Sequence, residues 1–410
     1  MGHSAAQMSA IAAEQIARVE RALASHGTRE YPVAVLDLDF FDANAADLAR
    51  RAGGTPIRVA SKSLRVRALL ERALEHTGFR GILAYTLPEA LWLASAGYHD
   101  IVVAYPTVDR SALRRLAEDP AARRAITVMV DETAHLDLIA DATTGVHLGG
   151  TPIRVALELD ASFAPVPSVR FGAHRSPMHA PEQVSRLARE ASARRGLRVV
   201  GLMAYEGQIA GVTDSARTPY GAAVRAMKSL SSREIATRRG ETVRAVQEVA
   251  ELEFVNAGGT GSIESSVAED VVTEVAAGSG LIGPGLFDNY VGFAPLPALL
   301  LGFTVVRRPA PRVATLLGGG WIASGVPAAD RLPTLWYPRG LTYAPQEGAG
   351  EVQTPVIGDA AEGLRIGDMV WLRHAKSGEP AEHATVYHLL QGEHITDVTP
   401  TYRGEGRMFL

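Results

Sequence analysis

Primary amines are scarce in this chain. Of its 410 residues 41 are basic, and only Lys62, Lys228 and Lys376 are lysine. Chemistry that needs an amine therefore has three candidates. Lys62 closes Ile57-Arg58-Val59-Ala60-Ser61-Lys62, just past an apolar run that reads as a buried strand. An amine leaving such a strand is expected to be partly desolvated. Desolvation favours the neutral form, the nucleophile that makes a Schiff base with a carbonyl. A solvated lysine closing a loop is the competing reading, and the rarity of lysine weighs against it. Lys228, in the polar stretch Val224–Ser229, reads as solvated. Lys376 follows Trp371-Leu372-Arg373-His374-Ala375.

A second chemistry is anion binding. Val255-Asn256-Ala257-Gly258-Gly259-Thr260-Gly261-Ser262 puts glycines and two hydroxyls at a strand end. There, backbone N–H groups converge on a phosphate. The run lacks the Gly-Lys-Ser/Thr ending of a nucleotide P-loop. Gly278-Ser279-Gly280-Leu281-Ile282-Gly283 matches the dinucleotide string, but Pro284 follows at once and leaves no room for the helix that would hold a pyrophosphate. Arg170-Phe171-Gly172 offers a cation for a carboxylate or phenolate, with a plain surface arginine as the alternative. Tyr205-Glu206-Gly207 ends another strand, and its tyrosine either covers a planar group or simply packs. His374, His383 and His388 lack the His-Glu-x-x-His zinc spacing, and no Gly-x-Ser-x-Gly elbow is present.

The elements that must hold these residues follow from hydrophobic patterning. Residues 6–26 have helical spacing, with Ile11, Ile16, Val19, Ala22 and Leu23 on one side. Short apolar runs then alternate with helical stretches. The runs are Ala34–Leu38, Ile57–Ala60, Ile82–Tyr85, Ile101–Tyr105, Ile126–Val130, Val155–Leu159, Val199–Tyr205, Phe254–Asn256 and Glu274–Ala277. Continuous apolar strands alternating with helices imply a parallel sheet covered on both faces. Nine runs are one too many for an eight-stranded α/β barrel, unless the first belongs elsewhere; an open doubly wound sheet competes. After about Gly283, Pro and Gly become dense and helical periodicity fades, which reads as a mostly β domain.

Composition bounds the rest. The charge sum is 41 − 45 = −4, which speaks against broad nucleic-acid binding. Cysteine is absent, so disulfides, thiol catalysis and Fe–S clusters are excluded, and a reducing cytoplasm fits. No apolar run is long enough to span a membrane. No basic start or apolar core marks a secretory signal.

Taken in order, Tyr31–Asp37, Ser61-Lys62, Arg170-Phe171-Gly172, Gly201–Gly207, the Gly258–Ser262 turn and Gly367-Asp368 leading to His374 resemble the D-threonine aldolase / D-serine dehydratase-like family. Those are pyridoxal-phosphate enzymes of the alanine-racemase-like fold, and the branch called amino acid deaminase/aldolase is most similar. The resemblance implies a (β/α)8 TIM-type barrel from Ile57 plus a C-terminal mostly-β domain. It divides the chain into residues 1–40, a helix and strand joined to the β domain; 41–283, the cofactor-binding barrel; and 284–410, the β domain. It implies that Lys62 carries pyridoxal 5′-phosphate, that Gly259, Thr260, Gly261 and Ser262 bind its phosphate, and that Arg170 and Tyr205 flank it. It further implies a cytoplasmic homodimer whose small-molecule substrate is a β-hydroxy α-amino acid, D-configured as the family's substrates are, and whose partners include neither nucleic acid nor membrane. The reaction is then a lyase reaction, with loss of an aldehyde or of water and ammonia. A racemase on the same scaffold and a non-catalytic cofactor carrier are the alternatives. Relatives that bind a divalent metal place a cysteine or aspartate two residues after a histidine; here His374 is followed by Lys376, whose charge disfavours a metal. Lys376 and His374 are accordingly expected in catalysis, Lys376 as a cation beside the substrate's β-oxygen, with a lysine that binds a remote substrate carboxylate or points to solvent as the alternative. Two further departures are Gln208, where a histidine is common, and Gly280-Leu281, where a tyrosine is often found.

Overall fold

The computed structural model describes residues 5–28, 31–166 and 168–410. Its contacts divide the chain into two compact units. One comprises residues 1–46, 63–71 and 279–408, the other 47–62, 72–278 and 409–410.

The second unit is a closed barrel of eight parallel strands: Ile57–Ala60, Phe79–Ala84, Ile101–Val103, Ile126–Val130, Ile153–Glu158, Leu197–Ala204, Phe254–Ala257 and Glu274–Ala277. The open-sheet alternative is thereby excluded. The eighth strand closes the ring by pairing with both the seventh and the first, Val275 lying opposite Ile57. Such strands read as unbroken apolar runs because helices cover their outer faces and side chains fill the interior. Val102, Met129, Ala156, Val200, Met203 and Phe254 form one interior cluster. Where the ring closes, polar groups replace that packing. Buried Arg58 donates twice to Glu274, at 2.7 and 2.8 Å, and Asn256 donates to the same carboxylate at 2.8 Å. Buried charges persist when paired and fully hydrogen-bonded in this way.

Two additions equip the barrel. A hairpin, Phe163–Val166 with Val169–Phe171, follows the fifth strand and stacks Phe163 on Phe171. The helix Pro219–Gln247 starts at the Thr218 cap, with proline in its first turn, the position where a missing N–H costs nothing. Lys228 lies on this helix and is buried in an ion pair with Asp214 at 2.8 Å. The solvated position expected for it is corrected: an acid fourteen residues earlier neutralises it.

The other unit is built on a nine-stranded sheet. Its longest strand, Leu299–Ala310, pairs antiparallel with Val33–Asp37, Met369–Arg373 and Val313–Leu317. Val33–Asp37 also runs parallel to Val386–Gln391. The surplus apolar run therefore belongs to this sheet. The helix Ala5–His26 lays Ile16, Val19, Ala22 and Leu23 on it against Val35, Trp336 and Trp371. Ser279–Ile282 does form one helical turn, contrary to the expectation of none, but it ends before Pro284 and is too short to seat a pyrophosphate.

Candidate active site

Several of the residues singled out from the sequence follow the carboxyl ends of barrel strands, the face that carries chemistry in such barrels. Lys62 follows the first strand, in the helical turn Ser61–Ser63. Its amine lies 3.4 Å from the Tyr105 hydroxyl and 6.0 Å from that ring's centre. Lys62 is exposed, so the expected desolvation is not met in the single chain: the turn lifts the side chain out of the strand layer.

After the sixth strand the chain splits two functions between neighbours. Tyr205 remains 37 % exposed, while Glu206 turns inward to 1 %. The Tyr205 ring covers the glycine turn so closely that a Cβ on Gly259 would lie 3.1 Å from it. Its phenol end lies against Gly211. Burial there, followed by the charge of Glu206 and the nearby Tyr105, pushes the phenol up to about 12. Tyr205 is therefore a protonated hydrogen-bond donor at neutral pH.

The turn after the seventh strand is stitched internally. Gly258 has φ +78°, and a Cβ there would press on Ser266; glycine adopts this left-handed conformation without the clash. Gly259 N–H donates to the Ser262 hydroxyl at 3.1 Å, and Ser262 N–H to the Gly259 carbonyl at 2.9 Å. Arg51 donates to the Thr260 carbonyl at 2.6 Å. Beneath the turn, Glu206 faces Arg239, which is fully buried and also pairs with Glu269.

Arg170 sits on the hairpin and donates to Asp160 at 2.7 Å. Asp160 is fixed in turn by the N–H and hydroxyl of Ser162, both at 2.9 Å. Arg238 donates to the carbonyls of Asp160 and Ser162 at 2.6 and 3.0 Å, tying the hairpin base to the long helix. Next to this group, burial and the charges of Asp131 and Asp160 raise Glu158 to about 7, against Arg175 and His135. A hydrogen bond to Asp131 holds His135 above its ordinary value.

The structure thus brings Lys62, Tyr205 and the Gly259–Ser262 turn to one end of the barrel, with Arg170 on the hairpin that follows the fifth strand. His374 and Lys376 belong to the other unit. There His374 Nδ1–H donates one hydrogen bond to the Lys376 carbonyl at 2.7 Å, while burial lowers its pKa to about 4. The Lys376 amine donates to the Ser324 carbonyl at 2.8 Å. Among the described residues no group of three or more His, Asp or Glu could hold a metal ion. Sequence reading assigned no role to Tyr105, Asp160, Glu206 or Arg239. Three of these stand at or just past the ends of barrel strands, and that position was the available signal. Arg239 gave none, being one arginine among 38.

A closed parallel barrel with an amine after its first strand and a glycine turn after its seventh, accompanied by a separate β unit, defines an alanine-racemase-like chain. Residues 36–284 match the family model described as alanine racemase, N-terminal domain, and the chain belongs to that family. It is 27% identical over 250 residues to a 3-hydroxy-D-aspartate aldolase of Paracoccus denitrificans, covering 60% of this chain and 59% of that relative. It is 28% identical over 320 residues to a D-threonine aldolase of an Arthrobacter species, covering 76% of each. A solved D-threonine aldolase from Filomicrobium marinum shares the fold, with a TM-score of 0.76 at 21% identity over 92% of this chain and 95% of that one. The match to the Paracoccus protein thus spans about three fifths of that relative's length. Among the described residues no helix is long and apolar enough to cross a membrane.

Proposed function

We propose that the protein is a pyridoxal-phosphate-dependent lyase acting on a β-hydroxy α-amino acid of D configuration. The observation that carries this reading is the grouping of the Lys62 amine, the Tyr105 and Tyr205 phenols and a glycine turn whose Gly259 lies close under the Tyr205 ring. These residues fit the cofactor: an amine for its aldehyde, a turn for its phosphate and flat rings for its pyridine. The cofactor-binding part of this reading lies within residues 41–283 and centres on the barrel unit, 47–62 and 72–278. The aldolase relatives support the substrate class.

When bound, pyridoxal phosphate supplies a sink for the electron pair freed at the substrate's Cα. The chain does the rest. Lys62 would hold the cofactor's aldehyde, and its free amine would move a proton at Cα. Tyr205 presents a phenol that stays protonated and donates. Arg170, braced by Asp160, supplies a fixed cation for the cofactor's phenolic oxygen or the substrate carboxylate. In the other unit the Lys376 amine is held on the Ser324 carbonyl, and the neutral His374 fixes the backbone of that segment through the Lys376 carbonyl; the cation role of Lys376 rests on the family resemblance. The enzyme works as a homodimer, consistent with the exposure of Lys62 in a single chain.

The direct test is reduction of the purified yellow protein with borohydride and mapping of the adduct. The label is expected on Lys62; a label elsewhere, or no chromophore, overturns the reading. A panel of D-threonine, D-serine, D-phenylserine and D-hydroxyaspartate, read together for aldehyde, keto acid and ammonia, then fixes the reaction. A racemised substrate with none of these products establishes a racemase instead. Turnover is expected to survive a chelator, because Lys376 stands where a metal ligand would; strict dependence on a divalent metal rejects that role.

A further inference from the structure

Glu206 presents a puzzle. It is a buried carboxylate directly behind a turn that is to receive an anionic phosphate, an arrangement that charge alone disfavours. Its hydrogen bonds resolve this. One oxygen accepts from the hydroxyls of Ser262, at 3.3 Å, and Ser266; the other accepts from Gly258 N–H at 3.3 Å and from Arg239 at 3.0 Å. A carboxylate has about four acceptor positions, and all are taken. Arg239 is 0 % exposed and offsets part of the charge, being shared with Glu269.

The direction of the Ser262 hydroxyl follows from its neighbours. Gly259 N–H can only donate, so Ser262 Oγ accepts from it. The Glu206 carboxylate can only accept, so it takes the hydroxyl's single proton. That proton is then not available to a phosphate. The bonds form a chain, Gly259 N–H to Ser262 to Glu206, with Gly258 N–H anchored on the second carboxylate oxygen. Both ends of the turn are drawn down onto one rigid group, Glu206 held by an arginine that it shares with Glu269.

We propose that Glu206 is the positioning residue of the phosphate-binding turn and that the Ser262 hydroxyl serves Glu206 rather than the cofactor. This rests on the pyridoxal-phosphate reading above. It revises the expectation that Ser262 contacts the phosphate with its hydroxyl, and leaves that contact to Thr260 and Gly261. Glu206 touches neither cofactor nor substrate and acts by fixing where the turn's amides point. Positioning a donor in advance spares the cost of ordering it on binding.

The experiment compares the affinities of pyridoxal phosphate and of pyridoxal, which lacks the phosphate, for the wild type, Glu206→Gln, Glu206→Asp, Ser262→Ala and the Glu206→Gln/Ser262→Ala pair. The phosphate's advantage is the ratio of the two dissociation constants. Glu206→Gln is expected to lower that ratio by about tenfold or more, with Glu206→Asp recovering part of it. A purely electrostatic Glu206 gives the opposite sign, since removing a negative charge would strengthen phosphate binding. Ser262→Ala is expected to lower the ratio in the wild type but not in Glu206→Gln, because the serine acts through the acid. An unchanged or raised ratio in Glu206→Gln, or a Ser262→Ala loss of equal size in both backgrounds, overturns the proposal. If Glu206→Gln does not fold, Ser266→Ala decides the matter: it removes one donor to Glu206 from behind the turn, and an unaltered ratio there rejects the positioning role. A wild type that binds neither compound at Lys62 would instead refute the cofactor reading itself.

Discussion

At the scale of single residues, Glu158 shows what the barrel end does to a side chain. Its carboxyl is raised to about 7 by burial and by the two aspartates beside it. A raised carboxyl is held protonated by the folded state, so the fold loses stability as pH climbs from the unfolded value near 4.5 through 7. Glu158→Gln should remove that loss, roughly 2–3 kcal/mol at most, read as a smaller difference in urea unfolding between pH 5 and pH 8. An identical difference in variant and wild type would show that Glu158 does not titrate there. Residue type alone made part of this site legible. Lys62 stood out because lysine is rare, and Gly258–Ser262 because glycines and hydroxyls cluster at a strand end. Glu206 and Asp160 did not, because their meaning lies in partners. The hydroxyls that Glu206 accepts belong to residues 56 and 60 positions further on, and no local pattern links them.

At the scale of elements, the barrel was legible for a physical reason: strands covered on both faces leave uninterrupted apolar runs. Their limits were less so, since pairing rather than apolarity ends a strand. The second strand begins at Phe79, three residues before its apolar core. The Phe163–Phe171 hairpin escaped notice because its strands are short and largely exposed and Pro165 interrupts the first. Packing between strands is tight enough to test. A Cβ on Gly201 would sit 2.2 Å from the Phe254 ring, and that ring fills the barrel interior beside Arg58. Gly201→Ala should therefore cost about 1–3 kcal/mol of stability, measured by denaturant unfolding. A neutral substitution would mean that Phe254 has another place to go.

At the scale of the whole molecule, acid acts on the two units in opposite senses. His374, in the β unit, is lowered to about 4 by burial. The unfolded chain protonates this imidazole near 6.5 while the fold resists, so stability is lost as pH falls from 6.5 towards 4. This slope opposes that of Glu158 over most of the same interval. His374→Gln should flatten acid unfolding by up to roughly 3 kcal/mol and leave behaviour above pH 7 unchanged; an acid limb as steep as that of the wild type would contradict it. The three lysines carry a practical consequence of their own. Lys228 is buried on Asp214, Lys376 is half-buried on a carbonyl, and Lys62 faces solvent. Among the lysines of a single chain a mild acylating ester should reach Lys62 well before the other two, and a resident aldehyde at that amine would shut the dye out.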